Sequence, residues 1–172
     1  FSRAATETKQ VFDVHEGLDS TVLILRHRLK ANEQRPAIEV VKAYGAIPNV
    51  ACFAGQLNQV FMNILANAID ALDEASQHRS ITDLKAHPNR ITIRTMVDAT
   101  QVKIAIADNG PGMSETVKAK IFDHLFTTKV VGKGTGLGLA IAHQIVVDVH
   151  GGRLDVQSDV SQGTEFCISL PL

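Results

Sequence analysis

The chain predicts an α+β fold, a two-layer α/β sandwich in which a mixed, largely antiparallel sheet is covered on one face by three main helices. Apolar residues recur at spacings of three and four over 18–29, 57–72 and 137–149, the mark of helices with one buried face. Strict alternation marks 91–97 and 102–108 as half-buried strands, joined by the hairpin-length Asp98-Ala-Thr-Gln101. Strands that follow strands directly favour antiparallel pairing over a doubly wound parallel sheet. With 172 residues, 45% hydrophobic and 20% charged, the chain suits one domain over 10–172, preceded at 1–9 by the tail of a linker or helix. A chain of that length buries roughly 70% of its unfolded surface.

The elements follow in order. Val11-Phe12-Asp13-Val14 reads as a short strand. Leu18, Val22, Leu25 and Leu29 place a helix over about 16–31, ended at Arg35-Pro36. Residues 38–44 form a β-rich strand. Residues 56–74 form a long helix with Leu57, Val60, Phe61, Ile64, Leu65, Ala68 and Leu72 on its apolar face. Residues 76–89 read as a polar loop with no assigned role. After the hairpin, Ser114 caps a short helix ending near Phe122. Residues 123–137 lack periodicity. A helix over 137–149 stops at Gly151-Gly152, and strands at 153–158 and 164–170 close the chain around the turn at 159–163.

Charge and cysteines exclude several classes. A net charge of −1 gives no electrostatic reason to expect nucleic acid or an acidic membrane. No apolar run approaches the ~20 residues of a membrane span, and no signal-peptide pattern appears. Cys52 and Cys167 are far apart and lack metal-ligand spacing, so free thiols in a reducing, cytoplasmic compartment are expected. The chain begins at Phe1 without Met, so it is expected to be a fragment of a longer protein.

Five features point to a nucleotide site. Gly132-Lys-Gly-Thr-Gly-Leu-Gly-Leu139 runs into a helical pattern; glycines expose backbone N–H groups, and a helix N-terminus adds partial positive charge. This is not the Walker form, since no Gly-Lys-Ser/Thr follows, and it does not follow a strand as a dinucleotide fingerprint would. Gln56, Gln59, Asn63, Asn67, Asp70 and Glu74 share one helix face. A solvated face favours Lys, Glu and Arg. Asparagine is a poor helix former, and two of them one turn apart suit hard amide-oxygen ligation of phosphate-bound Mg²⁺.

Asp108 shares a register with Val102, Ile104 and Ile106, so it points at the core and needs a partner, such as the exocyclic amine of a purine. It could equally start the turn of Asn109-Gly110-Pro111-Gly112. Thr164 shares the inward register of Phe166, Ile168 and Leu170; a strand-end Thr bonding its own turn is the alternative. Lys129 and Lys133 flank the glycine run, and Lys129 is the one expected to reach a terminal phosphate.

Taken in order, these motifs resemble those of the ATP-binding catalytic domain of sensor histidine kinases, within the gyrase, chaperone, histidine kinase and mismatch-repair ATPase superfamily. Asn63-Ile-Leu-Ala-Asn67-Ala-Ile-Asp70-Ala resembles the N box and Asp108-Asn-Gly-Pro-Gly112 the first glycine box. Ile121-Phe-Asp-His-Leu-Phe-Thr-Thr-Lys129 resembles the F box, 132–139 the second glycine box, and Gln162-Gly163-Thr164 the closing one.

The resemblance implies that Asn67 coordinates Mg²⁺ and that Asn63 supports the metal or the reacting phosphate. It implies that Asp108 binds the adenine amine with help from Thr164, and that Gly110 and Gly112 make room for the base. Phe122, Phe126 and Thr128 then belong to an ATP lid, Lys129 meets the γ-phosphate, and Gly134, Thr135, Gly136, Leu137 and Gly138 cradle phosphates. The implied reaction moves the γ-phosphoryl of ATP to a histidine on a separate dimerisation domain, with a response regulator receiver downstream and homodimerisation only in the full-length parent.

Two departures stand out. His15-Glu16 is followed by Gly17-Leu18-Asp19, which does not fit a phosphoacceptor segment, so His15 is expected to be structural and the fragment unable to phosphorylate itself. The N box ends in Asp70-Ala71, where many sensor kinases carry a basic residue. A non-catalytic ATP-sensing module is the alternative, as is a related ATPase, although such enzymes usually place a Glu base where Asn63 stands.

Overall fold

A computed structural model describes residues 8–123 and 137–172. Five strands form the main sheet in the order β2-β4-β5-β7-β6: β2 (Glu39–Tyr44), β4 (Arg90–Asp98), β5 (Gln101–Asp108), β6 (Arg153–Asp159) and β7 (Gly163–Pro171). Among the described residues only the β2–β4 pair is parallel. A small antiparallel pair joins β1 (Gln10–Phe12) to β3 (Val50–Cys52). The long helix α3 (Ala54–Ser76) packs between α1 (Val14–Ile24) and α6 (Gly138–Gln144). The two-layer α+β architecture is therefore as the alternation and helical spacing predict.

The core lies between α3 and the inner sheet face. All seven apolar positions predicted for the long helix are buried, and they meet Ile91, Ile93, Val102, Ile104, Ile106, Phe166, Ile168 and Leu170. Each such side chain contributes about 1.5–3 kcal/mol when removed from water. The β4–β5 turn has two residues, with Ala99 at φ 51, in keeping with a tight hairpin. No helix among the described residues is long and apolar enough to cross a membrane.

Several boundaries differ from expectation. Asp13 is not in a strand: its carboxylate accepts from the backbone N–H of His15 and Glu16, which starts α1 at Val14. The expected helix over 16–31 is divided at Leu25 into α1 and α2 (Arg26–Leu29). It ends early because the nearly inaccessible Arg35 guanidinium donates to the carbonyls of Arg28 and Lys30 while pairing with Asp73. The strand β3 is too short to carry a periodicity. The supposed loop at 76–89 contains a helix, α4 (Ile81–Ala86), capped by Ser80 and pinned by the buried Leu84. After α6 the helix widens into a π-turn over Ile145–Val149. There the Ile145 carbonyl accepts from both the backbone N–H and Nδ1 of His150, whose Nε2 accepts from the Phe53 N–H at the start of α3.

Candidate functional site

Asp108 closes β5 directly opposite Thr164 of β7. The two-residue alternation that buries Val102, Ile104 and Ile106 also turns Asp108 inward, leaving it 8% exposed. Its Oδ1 accepts the Gly110 N–H at 2.9 Å. It starts the turn and also lies at the edge of a cavity. Burial pushes its carboxyl up to about 6, against the opposing pull of the Gly110 and Thr164 backbone N–H groups. A partly desolvated carboxylate at the end of a strand seeks a donor.

Thr164 stands between Asp108 on one neighbouring strand and Ser158 of β6 on the other. Its Oγ1 lies 2.8 Å from Ser158 Oγ, which also accepts the Met113 N–H at 2.7 Å and donates to the Gly163 carbonyl at 3.0 Å. Sequence reasoning missed Ser158. The same signal that singled out Asp108 and Thr164 was present, because Leu154 and Ser158 share the inward register of β6.

The glycines here let backbones meet. Gly112 has φ +74, and a Cβ there would run into the Asp159 carbonyl; Gly163 has φ +97, and a Cβ there would strike the Asp108 carbonyl. The turn after Asp108 is thereby laid against the β6–β7 turn, and Ser161 N–H reaches the Pro111 carbonyl at 2.6 Å. Asn109 lies on the cavity wall as well. Its amide bonds the Arg90 N–H and the Pro88 carbonyl, so it anchors the loop to β4.

These residues border a cavity of about 660 Å³, whose side wall is α3. Asn67, Ala71, Glu74 and Ala75 face it, the two alanines leaving space beside Asp108. The predicted polar stripe divides. Asn67 and Glu74 line the cavity, whereas Asp70 turns to the far side and pairs with Arg28 at 2.6 Å. Asn63 accepts from Gln59 Nε2 at 2.6 Å and donates through Nδ2 to the Gly138 carbonyl at 2.9 Å, fixing the start of α6.

The segment at 77–89, given no role from sequence, supplies His78, Arg79 and His87 to the rim. Arg79 is fully engaged: it bonds Asp83, Asn89 and the His87 carbonyl and holds this wall in place. Met113, Val117 and Ile121 form an apolar lip on the opposite flank, the last two from α5 (Glu115–Lys120) and the turn beyond it.

Other predicted site residues fall elsewhere. Phe122 does not line the cavity; its ring packs 4.8 Å from His143 and 6.2 Å from Phe166 because α5 ends before it and turns it toward the core. Leu137 and Gly138 sit at the N-terminus of α6, next to Asn63. Phe126, Thr128, Lys129, Gly134, Thr135 and Gly136 lie outside the described residues. His15 is structural: it stacks on Tyr44 at 4.2 Å and bonds Thr95 Oγ1 at 2.6 Å.

The comparisons with known proteins agree with this arrangement. A family model described as "Histidine kinase-, DNA gyrase B-, and HSP90-like ATPase" matches residues 54–172. Sensor kinase CckA of Brucella abortus (strain 2308) is 35% identical over 99% of this chain, which spans 18% of that protein. Sensor histidine kinase ZraS of Escherichia coli K12 is 34% identical over 76% of the chain, which spans 24% of it. Among solved structures, the catalytic domain of the histidine kinase ThkA superposes with a TM-score of 0.73 at 25% identity, covering 95% of each chain.

Proposed function

The chain belongs to the family of histidine kinase-, DNA gyrase B- and HSP90-like ATPases, and on that premise we propose that its cavity binds Mg²⁺-ATP and that the chain transfers the γ-phosphoryl group to a histidine on a separate domain. The observation that carries the reading is the pair at the buried end of the cavity, Asp108 and Thr164, whose carboxylate and hydroxyl suit an exocyclic purine amine. The base enters there with Ala71 and Ala75 beside it, and the phosphates lead along α3 toward Asn67 and the N-terminus of α6. That helix start offers partial positive charge to phosphate oxygens.

The donor set fits a hard cation. Asn67 brings a neutral amide oxygen to the cavity, whereas both ends of the Asn63 amide are already engaged. Asn67 would therefore hold Mg²⁺, which neutralises phosphate charge when bound, and Asn63 would hold α6 in place to receive the phosphates. Phosphoryl transfer asks a protein mainly for positioning and charge complementarity, and amides with a helix N-terminus supply both. Lys129 would meet the γ-phosphate. In this reading the acceptor would be a histidine on a dimerisation domain, and a separate response regulator receiver would take the phosphoryl group downstream.

Calorimetric titration of the chain with ATP in excess Mg²⁺ tests the site. Saturable 1:1 binding, weakened by removing Mg²⁺, is the expected result; absence of ATP binding contradicts it.

A further inference from the structure

Ser158 Oγ has three polar neighbours and one proton. The Met113 N–H can only donate to it and the Gly163 carbonyl can only accept from it. A hydroxyl gives one donor and two acceptor lone pairs. All three contacts are hydrogen bonds in a single arrangement: Ser158 donates to Gly163, accepts from Met113 and accepts from Thr164. The Thr164 proton is thereby directed at Ser158, and both lone pairs of Thr164 Oγ1 are left for the cavity. Ser158 is 6% exposed and Thr164 8%, so water does not readily substitute for either partner. Thr164 lines the cavity and Ser158 does not.

We propose that Ser158 is a positioning residue that sets base selectivity, by holding the Thr164 hydroxyl as an acceptor so that the buried end of the cavity takes an exocyclic amine and rejects a ring carbonyl. The inference rests on the reading of the cavity as an ATP site. Beside the Asp108 carboxylate it makes an end built of acceptors alone. Adenine offers two N–H donors there. A 6-keto purine offers an oxygen in place of the amine; that oxygen finds no donor, and the single N1–H beside it can serve only one of the two acceptors.

The test compares dissociation constants for ATP and inosine triphosphate, which differ at the purine 6-position and in the protonation of N1. The wild-type chain should favour ATP strongly. Ser158→Ala frees the Thr164 hydroxyl to turn and donate to a carbonyl, so the preference should fall by about tenfold, the scale of one hydrogen bond in a desolvated site. In a Thr164→Val background the same Ser158→Ala change should leave the ratio within about twofold, because the effect passes through the missing hydroxyl. Ser158→Thr keeps the hydroxyl and should keep the preference, which also covers the case in which the alanine variant folds poorly. A ratio unmoved in Ser158→Ala, or moved equally with and without the Thr164 hydroxyl, overturns the role of Ser158 while leaving ATP binding intact. A wild-type chain that binds neither nucleotide overturns the ATP site and this inference together.

Discussion

The Asn63 side chain donates to the Gly138 carbonyl at 2.9 Å, joining the middle of α3 to the first residue of α6. The helix that walls the cavity and α6 are thus registered by one amide, itself held by Gln59. Loss of this bond releases a helix start rather than a core contact. Asn63→Ala should therefore cost only about 1 kcal/mol in thermal or denaturant unfolding, while Mg²⁺-ATP affinity drops at least about tenfold by calorimetry. Equal ATP affinity in the variant would show that the registration of α6 does not serve the phosphates.

Asn67 is expected to behave differently. Its amide faces the cavity, so Asn67→Ala should abolish the Mg²⁺ dependence of ATP binding and leave the melting temperature within a few degrees. Titrations with and without Mg²⁺ distinguish this from the Asn63 variant, in which the dependence persists.

Asp108 lowers the stability of the nucleotide-free fold at neutral pH. Burial raises its carboxyl from the ordinary 3.8 to about 6 in the folded chain, so the folded state holds the proton more tightly. This lowers stability as pH rises from about 4 to 6, and the full cost, on the order of 1–3 kcal/mol, persists at pH 7. Asp108→Asn should raise the unfolding free energy of the nucleotide-free chain at pH 7 and weaken ATP binding by about two orders of magnitude. Denaturant unfolding and calorimetry read the two effects, which run in opposite directions.

The same group gives ATP binding a pH dependence. Below about pH 6 the free carboxyl is protonated and presents a donor to the purine amine, so affinity should fall as pH drops from 8 to 5. The component due to Asp108 is the one absent from Asp108→Asn. An identical pH profile in the two proteins would remove Asp108 from contact with the base.

Gly163 couples the site to the fold. With φ +97 and the Asp108 carbonyl where a Cβ would stand, Gly163→Ala should cost about 1–3 kcal/mol and displace the strand start that carries Thr164. Unfolding and ATP titration should both be impaired.

Much of this was legible because period is a strong signal. The apolar face of α3 and the alternation of β4 and β5 fixed the core, and the inward register then exposed Asp108 and Thr164 as polar residues in apolar positions. Ser158 carried the same signal but ended a strand with few apolar partners on its face. Long-range side-chain bonds left no periodic trace. Arg35, reaching back to Arg28, Lys30 and Asp73, shortened a helix that spacing alone extended. The Ser80 cap and the single buried Leu84 made α4 too short for periodicity to reveal, and the part of the cavity rim at 77–89 was lost with it. Asp70 and Asn67 lie on one stripe, yet Arg28 drew one of them away, a choice set by the neighbouring helix.

Phosphoryl transfer from ATP to histidine is the proposed reaction. It is measured by incubating the chain with γ-labelled ATP, Mg²⁺ and a histidine-bearing dimerisation domain of a sensor kinase, then assaying the label on that domain. The account predicts a phosphoprotein that is labile in acid and stable in base, formed by the wild type and lost in Asn67→Ala. ATP binding without label on the histidine domain, or an acid-stable product, would contradict it.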